Sequence, residues 1–338
     1  PRKMRAYNQG TIAMLVLVTG ATGKVGRVLL DQLLADPRWP DLRIRALCHN
    51  RTLSARDRLE SVRGSIADRE AVEQAMAGVT HVIHMATVKE DPLSAMDVSV
   101  KGMFWMLESY RQSPTARQFM LIGGDCVVGH IINSYDSPIT ENSPRKPYPG
   151  VYALSKVLEE VMLEQYYVQY GINGCCLRAP WIMEKDDFRH VLDFDQQFGG
   201  PDWDQLLTSA QRTEYATTSK VPILLDSTGA TLKRNFIHVT DLVNAMLAAL
   251  DNPASRQNLF NIAMNQPVDY GAVAEHLKQT RNLTSVTIET PFHSNWLDNA
   301  KARQFLDWHP RYDMARLVDD AFDYQRAPDD PRKIWYIG

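Results

Sequence analysis

The feature that most constrains this chain is the run Leu15-Val16-Leu17-Val18-Thr19-Gly20-Ala21-Thr22-Gly23-Lys24-Val25-Gly26-Arg27. A wholly apolar stretch ends in three glycines spaced G-x-x-G-x-x-G, and a helical pattern follows at Val28, Leu29, Leu33 and Leu34. That order predicts a strand, a tight turn and a helix. Glycines let the backbone turn sharply and come close to a bound pyrophosphate, while the free N–H groups of the new helix receive its negative charge. Gly20, Thr22, Gly23, Lys24, Val25 and Gly26 therefore read as a dinucleotide site at the first strand-to-helix turn. Spaced glycines also mark ordinary turns; here the apolar run before them and the amphipathic run after them supply the required context.

The 338 residues, 44% hydrophobic and 23% charged, suffice for a large core in one large or two coupled domains. A formal net charge of -3 offers no electrostatic footprint for nucleic acid or an anionic membrane. No apolar run approaches the roughly 20 residues of a membrane span. Cys48, Cys126, Cys175 and Cys176 lack metal spacing and read as reduced core residues, which suits a cytoplasmic protein. Residues 1–13, with Arg2, Lys3 and Arg5, lack the apolar centre of a secretory signal and read as a leader, an alternative start or an added segment.

After the first helix, Leu42–Cys48 alternates as a strand, and the residues that follow it bear on the cofactor. An acid there would bind the ribose hydroxyls of NAD and repel the phosphate of NADP. The chain has His49-Asn50-Arg51 instead, which favours NADP slightly, although Arg51 also reads as a solvated loop cation. Gly64-Ser65-Ile66 precedes a helix with Val72, Ala75 and Met76, and Val79–Thr87 reads as a buried strand. His81 and His84 in that strand lack a carboxylate or thiol at ligand spacing, so no metal site is expected. A helix through Val100, Phe104 and Leu107 and a strand from Gln118 to Ile122 follow, running into Gly123-Gly124-Asp125-Cys126. This rhythm predicts an α/β fold, a doubly wound parallel sheet of Rossmann type with its ligand at the carboxyl ends of the strands. Asp125 and Cys126 stand at one such end.

The proline-rich loop Ser143–Gly150 then leads into Val151-Tyr152-Ala153-Leu154-Ser155-Lys156, which opens a helix. Tyr152 and Lys156 are four apart and share one helical face. An ammonium beside a phenol lowers a pKa near 10 towards neutrality, as a general acid/base acting on a secondary alcohol or ketone requires. A Tyr-x-x-x-Lys pair alone is an ordinary surface feature; its place after the glycine turn and the strand-helix alternations gives it the catalytic reading.

These segments together resemble the extended short-chain dehydrogenase/reductase family, in its NAD-dependent epimerase/dehydratase branch. Thr19–Gly26 and Tyr152–Lys156 carry the resemblance, supported by Lys233–Asp241, by Leu297–Ala302 and by Phe305–Pro310. It implies a dinucleotide domain at 14–178 and a smaller C-terminal α/β substrate domain at 179–338, with 231–262 returning to the first sheet. It further implies Tyr152 as proton donor or acceptor and Lys156 as its electrostatic partner and ribose ligand. Ser65 with Ile66, and Ala86 with Thr87, complete the set expected around the cofactor. Arg234 matches a position that binds a diphosphate in nucleotide-sugar enzymes of the branch, with a structural role equally open. A small-molecule substrate and a homodimer pairing through helices near 100–111 and 152–170 complete the expectation.

The departures from the pattern matter as much. Gly124 stands where the family has a Ser or Thr to hydrogen-bond the reacting oxygen, a donor worth roughly 2.7–4 kcal/mol to a transition state. Asp125 is the nearest candidate to act there, as an acid/base or as an orienter of Tyr152, against a reading as a turn residue. Ala179-Pro180-Trp181 replaces a polar, glycine-containing segment. Beyond Met183, Glu184, Asp186, Asp187, Asp193, Asp195, Asp202 and Asp204 surround Phe188, Phe194, Phe198 and Trp203. Such carboxylates would repel a diphosphate, unless they form only the solvated face of a lid. Cys126, Trp181, His190 and Arg234 are the residues expected at the substrate. The leading reading is an NAD(P)-dependent oxidoreductase or epimerase acting on a sugar, sugar acid or nucleotide sugar. A ketoreductase on an aromatic or polyketide-like substrate, suggested by the Trp and Phe residues beyond Met183, and a catalytically inactive NAD(P)-binding regulator stay open as alternatives.

Overall fold

The computed structural model describes residues 13–194 and 201–330. The expected leader up to residue 12, and Asp195 and Phe198 of the acidic stretch, lie outside the described residues. Seven strands form the central sheet: β1 (Leu15–Thr19), β2 (Arg43–Cys48), β3 (Leu59–Arg63), β4 (His81–His84), β5 (Gln118–Gly124), β6 (Gly174–Ala179) and β7 (Asn258–Asn261). Their spatial order is β3-β2-β1-β4-β5-β6-β7, with every neighbouring pair parallel. This is the Rossmann-type doubly wound α/β sheet expected above. Strand β3, Leu-Glu-Ser-Val-Arg, was not anticipated, because as an edge strand it buries only Leu59 fully.

Six helices recur below: α1 (Lys24–Ala35), α2 (Arg69–Met76), α3 (Met103–Gln112), α4 (Val151–Tyr170), α5 (Asp187–Val191) and α6 (Val239–Ala249). Helix α1 buries Val25, Leu29, Leu30 and Leu33, while Val28 and Leu34 of the expected pattern are half-buried, and it packs against α6 on one face of the sheet. Helices α2, α3 and α4 cover the other face. Each face thus has its own core, one holding Val16, Val18, Leu29 and Ile44 and the other Leu17, Val82, Met106 and Phe119. Alternate strand residues feed opposite sides, as the pleat requires.

After β6 the chain builds a C-terminal lobe with its own core of Phe188, Trp203, Leu232, Phe236, Tyr270 and Leu317. It contains short paired strands, Trp181–Met183 with Phe236–His238 and Val221–Leu225 with Ser285–Glu289. Between these lobe segments the chain crosses back, adding α6 to the sheet's first face and β7 beside β6. No helix among the described residues is long and apolar enough to cross a membrane.

Candidate active site

The carboxyl ends of β1, β4, β5 and β6 open on one cavity of about 940 Å³, lined jointly by the glycine turn and by residues of the C-terminal lobe. It sits where the topology places a ligand: β2 and β4 flank β1 on opposite sides, and the loops that follow them diverge. Gly20 has φ +72, and a Cβ there would lie 3.0 Å from the Ala86 nitrogen, so glycine is required for the turn to pass the β4 loop. A Cβ on Gly26 would meet the Gly20 and Ala21 carbonyl oxygens at 2.5 Å, so this glycine seats α1 against the turn. Helix α1 starts at the cavity with no side-chain cap at Gly23 and no acid in its first turn. Its leading N–H groups and positive dipole end suit the pyrophosphate of a dinucleotide.

Across the cavity, Tyr152 occupies the first turn of α4. No side chain of its own segment caps that helix; Glu90 Oε2 accepts the N–H of Val151 at 2.8 Å and of Tyr152 at 3.3 Å. The adjacent Lys89 places its Nζ 3.5 Å from the Tyr152 ring centroid, nearer than Lys156 Nζ at 5.9 Å. Burial brings the Lys89 ammonium down to about 8. Lys156 Nζ donates to the Ile122 carbonyl at 3.2 Å and to Glu159 Oε2 at 2.7 Å. The Tyr152 phenol is driven well above its usual value by burial first, then by Cys126 and Glu159. The direction is opposite to the lowering expected from Lys156: burial outweighs it, and the Lys156 ammonium is itself engaged by Glu159 and the Ile122 carbonyl.

A second chain of polar groups leaves the end of β5. Asp125 Oδ2 stands 2.6 Å from His130 Nδ1, and His130 Nε2 meets Arg234 Nη2. Arginine can only donate, so Nε2 accepts; Nδ1 then carries the hydrogen and gives it to Asp125, and the imidazole is neutral. The Arg234 guanidinium lies 4.0 Å from the Trp181 ring centroid. Beneath the site, Glu160 takes hydrogen bonds from Arg178 at 2.9 and 3.1 Å and from Arg145 at 3.1 Å, tying α4 to β6 and to the proline-rich loop.

The profile of the NAD dependent epimerase/dehydratase family matches residues 16–263, well over half of the chain. The chain belongs to this family. A UDP-glucose 4-epimerase of Mycolicibacterium smegmatis is 25% identical over an alignment covering 93% of this chain and 99% of the relative. The L-arabinose 1-dehydrogenase (NAD(P)(+)) of Haloferax volcanii is also 25% identical, over 54% of this chain and 72% of the relative. A short-chain dehydrogenase/reductase superfamily protein from Agrobacterium tumefaciens, solved with bound NAD, superposes with a TM-score of 0.73 at 22% identity. That alignment covers 91% of this chain and 95% of the other, and it establishes the fold. The protein is accordingly an enzyme of the NAD-dependent epimerase/dehydratase type.

Of the residues singled out in this epimerase/dehydratase-family enzyme, Gly20, Gly23, Lys24, Val25, Gly26 and Thr87 line the cavity. So do Asp125, Cys126, Tyr152, Lys156, Trp181 and Arg234. Thr22 and Ala86 flank it, the Ala86 N–H donating to Thr19 Oγ1 at 3.1 Å. Asn50 and Arg51 are exposed beyond β2, while Ser65 and the buried Ile66 follow β3, all outside the cavity lining. His190 is not brought to the substrate region: it is buried on α5, and the cavity lining does not include it. Lys89, Glu90 and His130 line the cavity without having been singled out. Lys89 and Glu90 meet Tyr152 more than sixty residues on, and His130, though five residues from Asp125, meets Arg234 across 104, so no local pattern marks them.

The acidic stretch also departs from expectation. Asp187 pairs with Lys24, Asp186 with Arg326, and Asp204 with Arg212 at 2.6 Å, so these acids are answered internally and do not form a repulsive wall. Phe188, Phe194 and Trp203 are fully buried in the lobe core, which removes the support they lent to an aromatic substrate. His81 and His84 take hydroxyl partners, Thr80 at 2.8 Å and Thr19 at 2.9 Å, although the buried His84 Nε2 has no hydrogen-bond partner among the described residues.

Proposed function

We propose that this enzyme oxidises or reduces a secondary alcohol or ketone of a sugar, sugar acid or nucleotide sugar, alone or as one step of an epimerisation. The observation that carries the reading is the convergence of Tyr152, Lys156 and Asp125 on the cavity that the glycine turn opens. The sugars in the names of the two relatives support the substrate class.

A nicotinamide dinucleotide held along Gly20, Thr22, Gly23, Val25 and Gly26 supplies the hydride acceptor or donor. In this reading Lys24, Ala86, Thr87, Ser65, Ile66, Asn50 and Arg51 would also hold the cofactor, and Lys156 would take its nicotinamide ribose. Tyr152 exchanges the proton. On reduction the phenol gives its hydrogen to the carbonyl oxygen; on oxidation the phenolate takes the hydroxyl hydrogen of the carbinol. Its raised pKa keeps it protonated at neutral pH, the form that reduction uses. Trp181 and Arg234 close the substrate side.

With no acid following β2, the exposed Arg51 beyond that strand favours NADP slightly over NAD. Met96, Phe104, Leu154 and Val168 expose apolar side chains from the helical segments 95–112 and 151–170, and a homodimer covers them. Four free, buried cysteines suit a cytoplasmic setting. Turnover over nucleotide sugars, free sugars and sugar acids, read by reduced-nicotinamide absorbance and by product stereochemistry, tests the assignment. Equal turnover by wild type and Tyr152→Phe refutes it, and stereochemical inversion without net cofactor consumption identifies an epimerase.

A further inference from the structure

We infer that the thiol of Cys126 supplies the second hydrogen bond to the reacting substrate oxygen, beside the Tyr152 hydroxyl. The inference rests on the reading of Tyr152 given above. An oxygen that changes between carbonyl and alkoxide character is best stabilised by two convergent donors, of which Tyr152 is one. The wall facing the phenol is Gly124, which has no side chain to offer. A Cβ built there would lie 3.6 Å from Tyr152 Oη and 3.1 Å from Cys126 Sγ. Phenol and thiol therefore flank the same small space, the one that a side chain at residue 124 would occupy.

The other groups nearby are committed elsewhere. Asp125 turns its carboxylate to His130, Lys156 to Glu159 and Ile122, and the Lys89 ammonium sits at the face of the Tyr152 ring. Cys126 lines the cavity in the short 3-10 turn Asp125–Val128, directly after β5. Burial and the Asp125 charge push its thiol up to about 12, so the sulfur keeps its hydrogen throughout the neutral range and donates as S–H. It does not act as a thiolate nucleophile. Glycine at 124 leaves the sulfur its room: a Cβ there would stand 3.1 Å from Sγ and press on it.

The experiment relocates the donor. Cys126→Ala is expected to lower kcat by roughly 10- to 100-fold with little change in KM, below the loss for a stronger donor because S–H is a weak one. Cys126→Ser is expected to keep or exceed the wild-type kcat. The double variant Gly124→Ser/Cys126→Ala, with space for the hydroxyl once the sulfur is gone, is expected to recover most of the lost rate. A folded Cys126→Ala enzyme with wild-type kcat overturns the inference. So does a Cys126→Ser enzyme as slow as Cys126→Ala together with no recovery in the double variant, even if the alanine variant is poorly folded. Tyr152→Phe, measured alongside, separates the two levels: loss of turnover there with an unaffected Cys126→Ala discards only the thiol, whereas unaffected Tyr152→Phe discards the reading of the site itself.

Discussion

The Lys156 ammonium lies 2.7 Å from the Glu159 carboxylate, three residues on along α4, and both side chains are almost wholly buried. A carboxylate so placed compensates the lysine from below and raises the Tyr152 phenol from a distance. Tyr148, His84, Glu160, Arg178, Lys89, Asp125 and Cys126 are among the charged and titratable groups around the pair. Glu159→Gln keeps an oxygen to accept from Lys156 while removing the charge. Its pH–rate limb governed by Tyr152 is expected to move to lower pH, with burial and Cys126 still holding the phenol up. An unmoved limb, with the variant folded, shows that Glu159 does not act on the phenol.

Lys156→Met carries a different expectation. It leaves Glu159 buried without its cation, and breaking a buried pair from one side costs about 3–5 kcal/mol. Stability by denaturant titration is expected to fall by that order. The double variant Lys156→Met/Glu159→Leu is expected to recover most of it while remaining inactive. Recovery of stability without activity separates the structural part of the pair from its part in turnover.

Three histidines, His81, His84 and His238, are lowered by burial and make the fold sensitive to mild acid. Burial holds His84 at about 3 and His238 at about 4, below the usual 6.5. Below pH 6.5 the unfolded chain takes up protons that the folded chain refuses, so stability is full above that pH. It is lost as pH falls through 6.5 towards 4, at up to about 1.4 kcal/mol per pH unit for each histidine. Urea midpoints measured from pH 7 to pH 4 check this. His84→Asn is expected to flatten the slope even if it lowers stability at pH 7.

Local patterns in the sequence carried much of this architecture, and their reach explains what they left out. The glycine turn and α1 were legible because Gly20, Gly23 and Gly26 constrain one another within seven residues. Tyr152 and Lys156 were legible because one helical turn is a fixed spacing. Glu90 caps α4 across 61 residues, and His130 meets Arg234 across 104. Only the order of the strands brings such pairs together. Charge composition exposed the acidic stretch but not the partners Lys24, Arg212 and Arg326 that neutralise it. Strand β3 went unseen because an edge strand needs little apolar alternation to be held by its neighbour's backbone.

The Asp125–His130–Arg234 chain yields the last prediction. Among its contacts, Arg234 meets the Trp181 ring and the His130 imidazole, which is itself oriented by Asp125. His130→Phe fills similar space but offers no acceptor to the guanidinium and no donor to the carboxylate. Losing a hydrogen bond to a charged group costs about 1.5–3 kcal/mol, so a measurable drop in thermal stability is expected. The kinetic effect should fall on substrate binding, because Arg234 lines the substrate side of the cavity while Tyr152 keeps its own surroundings of Lys89, Cys126 and Glu159. KM is therefore expected to rise about tenfold, as a loss of about 1.4 kcal/mol dictates, with kcat changed less. His130→Gln, which can still donate to Asp125 or accept from Arg234, should fall between the two. If instead kcat collapses while KM holds, His130 serves the proton transfer itself, and the division between a binding side and a reacting side of this cavity is wrong.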